Sequence, residues 1–390
     1  MTKPTIITIF GGDSWVNRGD EAILMGTIKL LQSIEVKPSI HILTGNCKKT
    51  QDAFPNCEAV NRNNILSIIV SFKKSDLIIW GGGHLLQNSS SKVFLIHQMF
   101  ILWLAILLKK KIMSFCIGAE RISGRFGMWL ARVTLNHVDV ITVRDSFSKK
   151  VVEDLGIIKT PILIPDPALL IEPDDMRFSD KEQRLYFIVS VRQWFDYRSS
   201  WFPVSWRRSI NISVKNTRFI NLIETISKGC DLIIEKYKLQ AMFISMYPGH
   251  GQADENVAKL IIEKMQHSEM AFVCSPDQEF MSFHHFLSSA KFLIGMRMHA
   301  TMLAATANTP IIGIYYQNKG REFLEYVGQV RLAIPVETVT TQAILESADY
   351  VMSHLNEIKT DLKRSIESQQ ANVLAIRKLV SNLLDRDRND

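Results

Sequence analysis

Between Ala290 and Lys319 an arginine, a histidine and a lysine are spaced so that an α/β chain would carry them to one edge. Phe292–Gly295 is an apolar run short enough for a buried parallel strand, and the pattern turns helical near Met298. Arg297 and His299 therefore lie at a strand-to-helix junction, and the next apolar run, Ile311–Tyr315, brings Lys319 to the same edge. In an open parallel sheet the carboxyl ends of the strands face the ligand crevice, and helix amino termini there present free N–H groups to anions. A fixed cation beside a titratable imidazole suits an anionic substrate whose reaction needs proton transfer. The alternative is that Arg297 pairs with a carboxylate and His299 only packs, the commoner fate of either residue alone. Convergence of three polar residues on one apolar unit favours the functional reading.

A second set of candidates lies in the first half. The β-branched run Thr5–Phe10 ends in Gly11 and Gly12, followed by Asn17 and a helical pattern from about Asp20; Asp76–Trp80 ends in Gly81, Gly82 and Gly83, and Ile112–Ile117 in Gly118. Glycines at such ends let the backbone turn sharply and let a ligand approach it, although a βα turn uses glycine for steric reasons too. Neither a G-x-G-x-x-G fingerprint after the first strand nor a G-x-x-x-x-G-K-[ST] loop occurs, so dinucleotide and P-loop sites are unsupported. Asp20 and Glu21 stabilise a helix start but make it a poor phosphate cradle. Carboxylates there suit sugar hydroxyls, or removal of a proton from one, and His250 in the Tyr247–Gly251 turn is a further candidate base.

The elements that must position these residues read as two α/β repeats. In the first half, strands at Thr5–Phe10, Ser39–Leu43, Asp76–Trp80, Ile112–Ile117 and Val138–Val143 alternate with helical patterns, the βα repeat of a doubly wound parallel sheet. Arg144-Asp145-Ser146 reads as a mainly structural helix start. Leu163–Arg184, rich in proline and charge, reads as a linker. The second half repeats the plan with a strand at Tyr186–Val191 ending in Arg192, a helix at Thr217–Tyr237 and a strand at Ala241–Met246. The expected division is a first domain at 1–165, a linker at 166–184, a second domain at 185–335 and a helical tail at 336–390. The aromatic and arginine-rich stretch between Arg192 and Thr217 suits stacking on sugars, a membrane interface, or packing on its own domain.

Composition narrows the class. The 390 residues, 46% hydrophobic and 22% charged, describe an ordinary folded chain long enough for two domains. A net charge of +7 is compatible with small anions or an acidic membrane surface, but no basic stripe interleaved with aromatics argues for nucleic acid. Five scattered cysteines without a C-x-x-C pair favour reduced thiols in a cytoplasmic protein, and no metal-ligand cluster is visible. The start of the sequence lacks the pattern of a signal peptide. Val93–Leu108 is strongly apolar and runs into Lys109, Lys110 and Lys111, but its sixteen residues include His97 and Gln98. It is expected to be a buried helix of the first domain, with peripheral contact at the inner membrane face as the alternative.

Taken in order, GDSWVNRGDEAIL near the start, GGG at Gly81–Gly83, VRDSFS from Val143, DPAL from Asp166, SVRQW from Ser190, GMRMHATMLA from Gly295 and the Tyr315–Lys319 segment resemble the polysaccharide pyruvyl transferase family. The resemblance implies two Rossmann-like domains in a GT-B-like arrangement with the active site in the cleft between them. It also implies transfer of pyruvate from phosphoenolpyruvate to two hydroxyls of a free, lipid-linked or polymeric sugar, giving a cyclic ketal and phosphate without a further cofactor. The family's arginine after the SV strand falls on Arg192, and its Arg-Leu-His element on Arg297, Met298 and His299. Two departures are the Met298 in place of leucine and Gly118-Ala119-Glu120 in place of a G-x-G turn. On this reading Arg192, Arg297, Met298 and Lys319 hold the donor and His299 is the general acid. Asn17, Asp20, Glu21, Gly82, Gly83 and His250 are candidates for the acceptor or its base. A sugar-nucleotide glycosyltransferase and a non-catalytic glycan-binding protein are the competing readings.

Overall fold

The computed structural model describes residues 4–12, 17–89, 91–172, 185–194, 216–247, 254–274 and 279–385. The chain divides into two compact units: unit 1 holds Met1–Leu170 and Gln369–Asp390, and unit 2 holds the described residues between Ile171 and Ser368.

Unit 1 alternates β1 (Ile6–Gly11), α1 (Arg18–Gln32), β2 (Ser39–Thr44), α2 (Cys47–Ala53), β3 (Cys57–Asn61), α3 (Ile65–Lys74), β4 (Leu77–Gly81), α4 (Lys92–Leu107), β5 (Lys111–Ile117), α5 (Arg125–Asn136), β6 (Val140–Val143), α6 (Ser146–Asp154) and β7 (Ile162–Leu163). Unit 2 continues with β8 (Tyr186–Ser190), α7 (Thr217–Tyr237), β9 (Gln240–Phe243), α8 (Asp254–Ile262), β10 (Ala271–Val273), α9 (Phe280–Ser288), β11 (Leu293–Gly295), α10 (Met298–Thr306), β12 (Ile311–Tyr315), α11 (Asn318–Tyr326), β13 (Ala333–Pro335) and α12 (Thr341–Ser353). Two more helices, α13 (Leu355–Leu374) and α14 (Ile376–Asp385), close the described chain.

Both sheets are wholly parallel. Their strand orders are β3-β2-β1-β4-β5-β6-β7 and β10-β9-β8-β11-β12-β13. In each the chain winds outward from a central strand, returns, and winds the other way, so β1/β4 and β8/β11 are the points where the order reverses. Short β-branched runs buried on both faces supply the strands. Polar residues then start the helices: Asn64 Oδ1 accepts from Leu66 N and Ser67 N, Ser91 Oγ from Phe94 N, and Asp145 Oδ1 from Ser148 N.

Unit 1 has a core on each face of its sheet. Ile68 and Phe72 of α3, Leu95, Met99 and Leu102 of α4, Ala131 and Leu135 of α5, and Val151 of α6 pack with Ile78, Trp80 and Ile112. On the other face α1 and α14 pack with Ile7, Ile9, Ile79 and Met113. In unit 2, α7, α8 and α12 contribute to a core with Phe187, Val189, Phe243 and Ile312.

Two sequence expectations change. The linker read at 166–184 begins later, because Pro167–Leu170 forms a buried 3-10 turn against α1. Gly26 makes this approach fit, since a Cβ there would meet Pro167 O at 1.9 Å. Residues 173–184 lie outside the described chain. The helical tail contributes to both units: α12 packs on α7 in unit 2, and Ile376, Val380 and Leu383 of α14 are buried in unit 1. Finally, α4 is buried on one side only; Leu95, Met99 and Leu102 face the sheet, while Val93, Ile96, Phe100 and Leu107 are 43% to 72% exposed. Among the described residues no helix is long and apolar enough to cross a membrane.

Candidate functional site

In unit 2 the chain leaves the adjacent strands β8, β11 and β12 at the same sheet end, delivering Arg192, Arg297 and Tyr316 in turn. Arg297 precedes α10 as its N-cap residue, and its carbonyl accepts from Thr301 N. Its side chain is buried and gripped by Asp254, the first residue of α8: Nε donates to Oδ2 at 3.1 Å, and Nη2 donates to Oδ1. Asp254 Oδ2 also accepts from Met246 N at 3.1 Å. Burial opposes the guanidinium's charge, but Asp254 outweighs it and holds the group cationic. The guanidinium lies over the Tyr247 ring, 4.7 Å from its centroid. Arg297 thus does pair with a carboxylate, and this pair fixes the start of the helix that carries His299.

Arg192 Nη1 donates to Tyr316 Oη at 2.8 Å, and its guanidinium stands 5.0 Å from the centre of that ring. Trp194 packs beside both, its centroid 4.3 Å from that of Tyr316 and 5.9 Å from the Arg192 guanidinium. Burial pushes the Tyr316 phenol up, yet Arg192, Arg297 and Lys319 together outweigh burial and bring its pKa below the ordinary value. Three sequence-selected cations therefore act on one hydroxyl. Met298, Thr301, Tyr316, Lys319 and Gly320 line a small pocket here. His299 is the second residue of α10 and partly exposed; Lys319 occupies the same position in α11. Cations at helix amino ends oppose the helix dipole, an arrangement that a bound anion relieves.

Unit 1 presents a different cluster at its own reversal point. Gly11 (φ 145°), Gly82 (φ 99°) and Gly83 (φ 131°) adopt backbone conformations that favour glycine. At Gly12 a Cβ would stand 1.8 Å from Gly82 O, and at Gly83 one would stand 2.7 Å from Asp20 Oδ1. The Asp20 carboxylate thus lies against the glycine turn. His84 Nε2 is 3.1 Å from Glu120 Oε1, and Ser89 Oγ donates to Glu120 Oε2 at 2.5 Å. The Glu120 that departs from the G-x-G pattern is therefore matched by an imidazole and a hydroxyl. Arg144, buried, donates to Asp166 Oδ2 at 2.7 Å and lies 3.7 Å from Asp145. Burial disfavours its charge, but Asp166, Asp145 and, more distantly, Asp20 hold it cationic.

The remaining sequence candidates have defined places. Asn17 caps α1, its Oδ1 accepting from Gly19 N at 2.8 Å. Glu21 lies 3.9 Å from Arg18 on the same helix. His250 lies outside the described residues. Structure thus groups Asp20 with Gly82 and Gly83, and Arg192 with Arg297, Met298 and Lys319. Sequence reasoning missed Asp254, Tyr316, His84 and the Arg144–Asp166 pair. Asp254 and Glu255 form an acidic helix start of ordinary composition, whereas Tyr316, between an expected strand and Lys319, did carry a positional signal. Among the described residues no group of three or more histidine, cysteine, aspartate or glutamate side chains is placed to hold a metal ion.

Solved structures share this two-unit plan at low sequence identity. Staphylococcus aureus MnaA, in a co-structure with UDP, matches with a TM-score of 0.61 and 15% identity over 99% of this chain and 97% of its own. The Neisseria meningitidis UDP-GlcNAc 2-epimerase bound to UDP-GlcNAc gives a TM-score of 0.57 and 14% identity over 97% and 100%. The α,α-trehalose 6-phosphate synthase of Burkholderia multivorans gives 0.57 and 9% over 100% and 99%. These likenesses establish the GT-B-like fold class of two Rossmann-like units. No curated protein matches the sequence. The family model described as polysaccharide pyruvyl transferase matches residues 17–318, a span that includes Asp20, Glu120, Arg192, Arg297 and Tyr316 and ends just before Lys319. The chain belongs to the polysaccharide pyruvyl transferase family.

Proposed function

We propose that the protein transfers pyruvate from phosphoenolpyruvate to two hydroxyls of a sugar residue in a polysaccharide or its precursor, forming a ketal and releasing phosphate. The observation that carries this reading is the convergence of Arg192, Arg297 and Lys319 on the Tyr316 phenol, beside the helix start bearing His299. Phosphoenolpyruvate carries a carboxylate and a phosphate, and fixed cations at a strand-end pocket suit both. Protonation of its methylene carbon makes a methyl group and an electron-poor C2. One acceptor oxygen then bonds to C2, the C2–O bond to phosphate breaks, and a second oxygen completes the ketal as both hydroxyl protons leave. His299 is the proposed acid, at the methylene carbon or the departing phosphate. Arg297 is assigned two tasks, charge toward the donor and, through Asp254, a fixed position for α10. In unit 1, Asp20 and the His84–Glu120 pair suit hydrogen bonding to sugar hydroxyls.

A nucleotide-sugar reading draws support from the likeness to proteins solved with UDP or bound to UDP-GlcNAc. Calorimetric titration separates the two. Phosphoenolpyruvate should bind, and binding should weaken in Arg192→Ala; heat from UDP-GlcNAc with none from phosphoenolpyruvate would overturn the pyruvyl reading.

A further inference from the structure

We infer that the outer face of α3, α4 and α5 in unit 1 docks on an anionic lipid bilayer. These helices follow β3, β4 and β5 and bury their inner sides against one face of the sheet, so their outer sides form one layer. Trp103 Nε1 of α4 donates to Thr134 Oγ1 of α5 at 3.0 Å, and Lys110, just past α4, donates to Lys73 O and Ser75 O at the end of α3. The layer is thus stitched across its width.

Its outer surface is unusually apolar. Among the described residues, ten of the eighteen exposed large hydrophobic side chains lie on these three helices, so the exposure is concentrated rather than scattered. Val93, Ile96, Phe100 and Leu107 follow the helical repeat along α4, while Leu66 and Val70 of α3 are 69% and 52% exposed. Phe126 and Trp129 of α5 are 62% and 58% exposed, with ring centroids 6.0 Å apart. Exposed aromatics of this kind suit the boundary between headgroups and acyl chains.

Charge selects the occupant. None of the three helices contains an aspartate or glutamate. Exposed Lys73, Lys74, Lys109, Arg121, Arg125 and Arg132 surround the apolar residues. The sequence cue for this surface, Lys109–Lys111, is partly spent within the fold, because Lys110 holds α3 and Lys111 donates to Leu383 O at 2.7 Å. The net cationic rim comes instead from residues 73–74, 109 and the neighbourhood of α5. An apolar centre with a net basic rim complements a surface with negative headgroups over acyl chains, and opposes a second copy of itself, which would bring like charges together.

The test is flotation of the full chain with vesicles of phosphatidylcholine alone or mixed with phosphatidylglycerol, at low and high salt. Mixed vesicles should carry the protein, and high salt should weaken the association. Phe100→Ser with Trp129→Ser should weaken it by about tenfold, as should Arg125→Glu with Arg132→Glu, while Phe272→Ser in unit 2 should leave it unchanged. If the apolar pair fails to fold, the charge pair carries the test. Absence of flotation with mixed vesicles, or flotation indifferent to both pairs, would overturn the inference. Self-association abolished by the apolar pair, without vesicle binding, would assign the face to a second copy and overturn it equally. No step of the transfer reaction enters this test.

Discussion

The reversal points of the two sheets share a topology and differ in charge. At β1/β4 in unit 1, glycines bring backbones together and Asp20 lies against the turn, with Glu120 and Asp166 matched by His84 and Arg144. At β8/β11 in unit 2 the arginines dominate, and a tyrosine rather than a carboxylate receives Arg192. Acidic residues beside a βα turn discourage phosphate and favour hydroxyls; cations at helix starts do the reverse. A fold therefore supplies a place for chemistry, and the side chains at that place choose the ligand's charge.

The sharpest test of this contrast is His299→Ala, predicted to lower pyruvyl transfer by about 10²–10⁴-fold with a smaller effect on donor binding. Steady-state kinetics beside calorimetry reads both; unchanged turnover removes His299 from the chemistry. Next come the buried ion pairs. Asp254→Ala leaves a buried guanidinium uncompensated and should cost about 3–5 kcal/mol in urea unfolding, whereas Asp166→Ala should cost less, because Asp145 still lies beside Arg144. Only Asp254→Ala should also disturb donor binding, and equal disturbance by Asp166→Ala would break the assignment of the donor to unit 2.

A pH dependence should follow in unit 2 from His284, packed beneath α10 with Nε2 2.8 Å from Thr306 Oγ1. Burial pushes its pKa from 6.5 to about 4. The unfolded chain therefore takes up this proton first. His284's contribution is intact above pH 6.5 and is lost as pH falls toward 4, by up to about 3 kcal/mol. His284→Gln should flatten that part of the stability profile; an unaltered profile excludes the residue. The smallest effect concerns the Tyr316 phenol, which should ionise below its ordinary value and move upward in Arg192→Gln. Ultraviolet difference titration against Tyr316→Phe measures the shift.

Much of this organisation was legible in the sequence. Apolar runs ending in glycine located β1, β4, β5 and β11, residue type with strand position selected Arg297 and Lys319, and the family resemblance added Arg192. The short β3 was not legible, because in CEAVN only Cys57 and Val60, three residues apart, are buried, which breaks the alternation that marks a strand. Pro167–Leu170 looked like linker because proline and charge outweighed a short apolar run whose burial depends on Gly26, far away in sequence. Asp254 was opaque for a similar reason. Its partner is 43 residues away, and no local pattern announces a contact of that range.

That separation also bears on the order of events in folding. The cation cluster assembles from Arg192, Asp254, Arg297 and Tyr316, with Arg192 and Tyr316 separated by 124 positions. Contacts of such range await closure of long chain segments, so this site is expected to mature late, after local helices have formed. During refolding, recovery of anion binding should lag behind recovery of helical circular dichroism, making the ligand a clock for the last stage of assembly in unit 2.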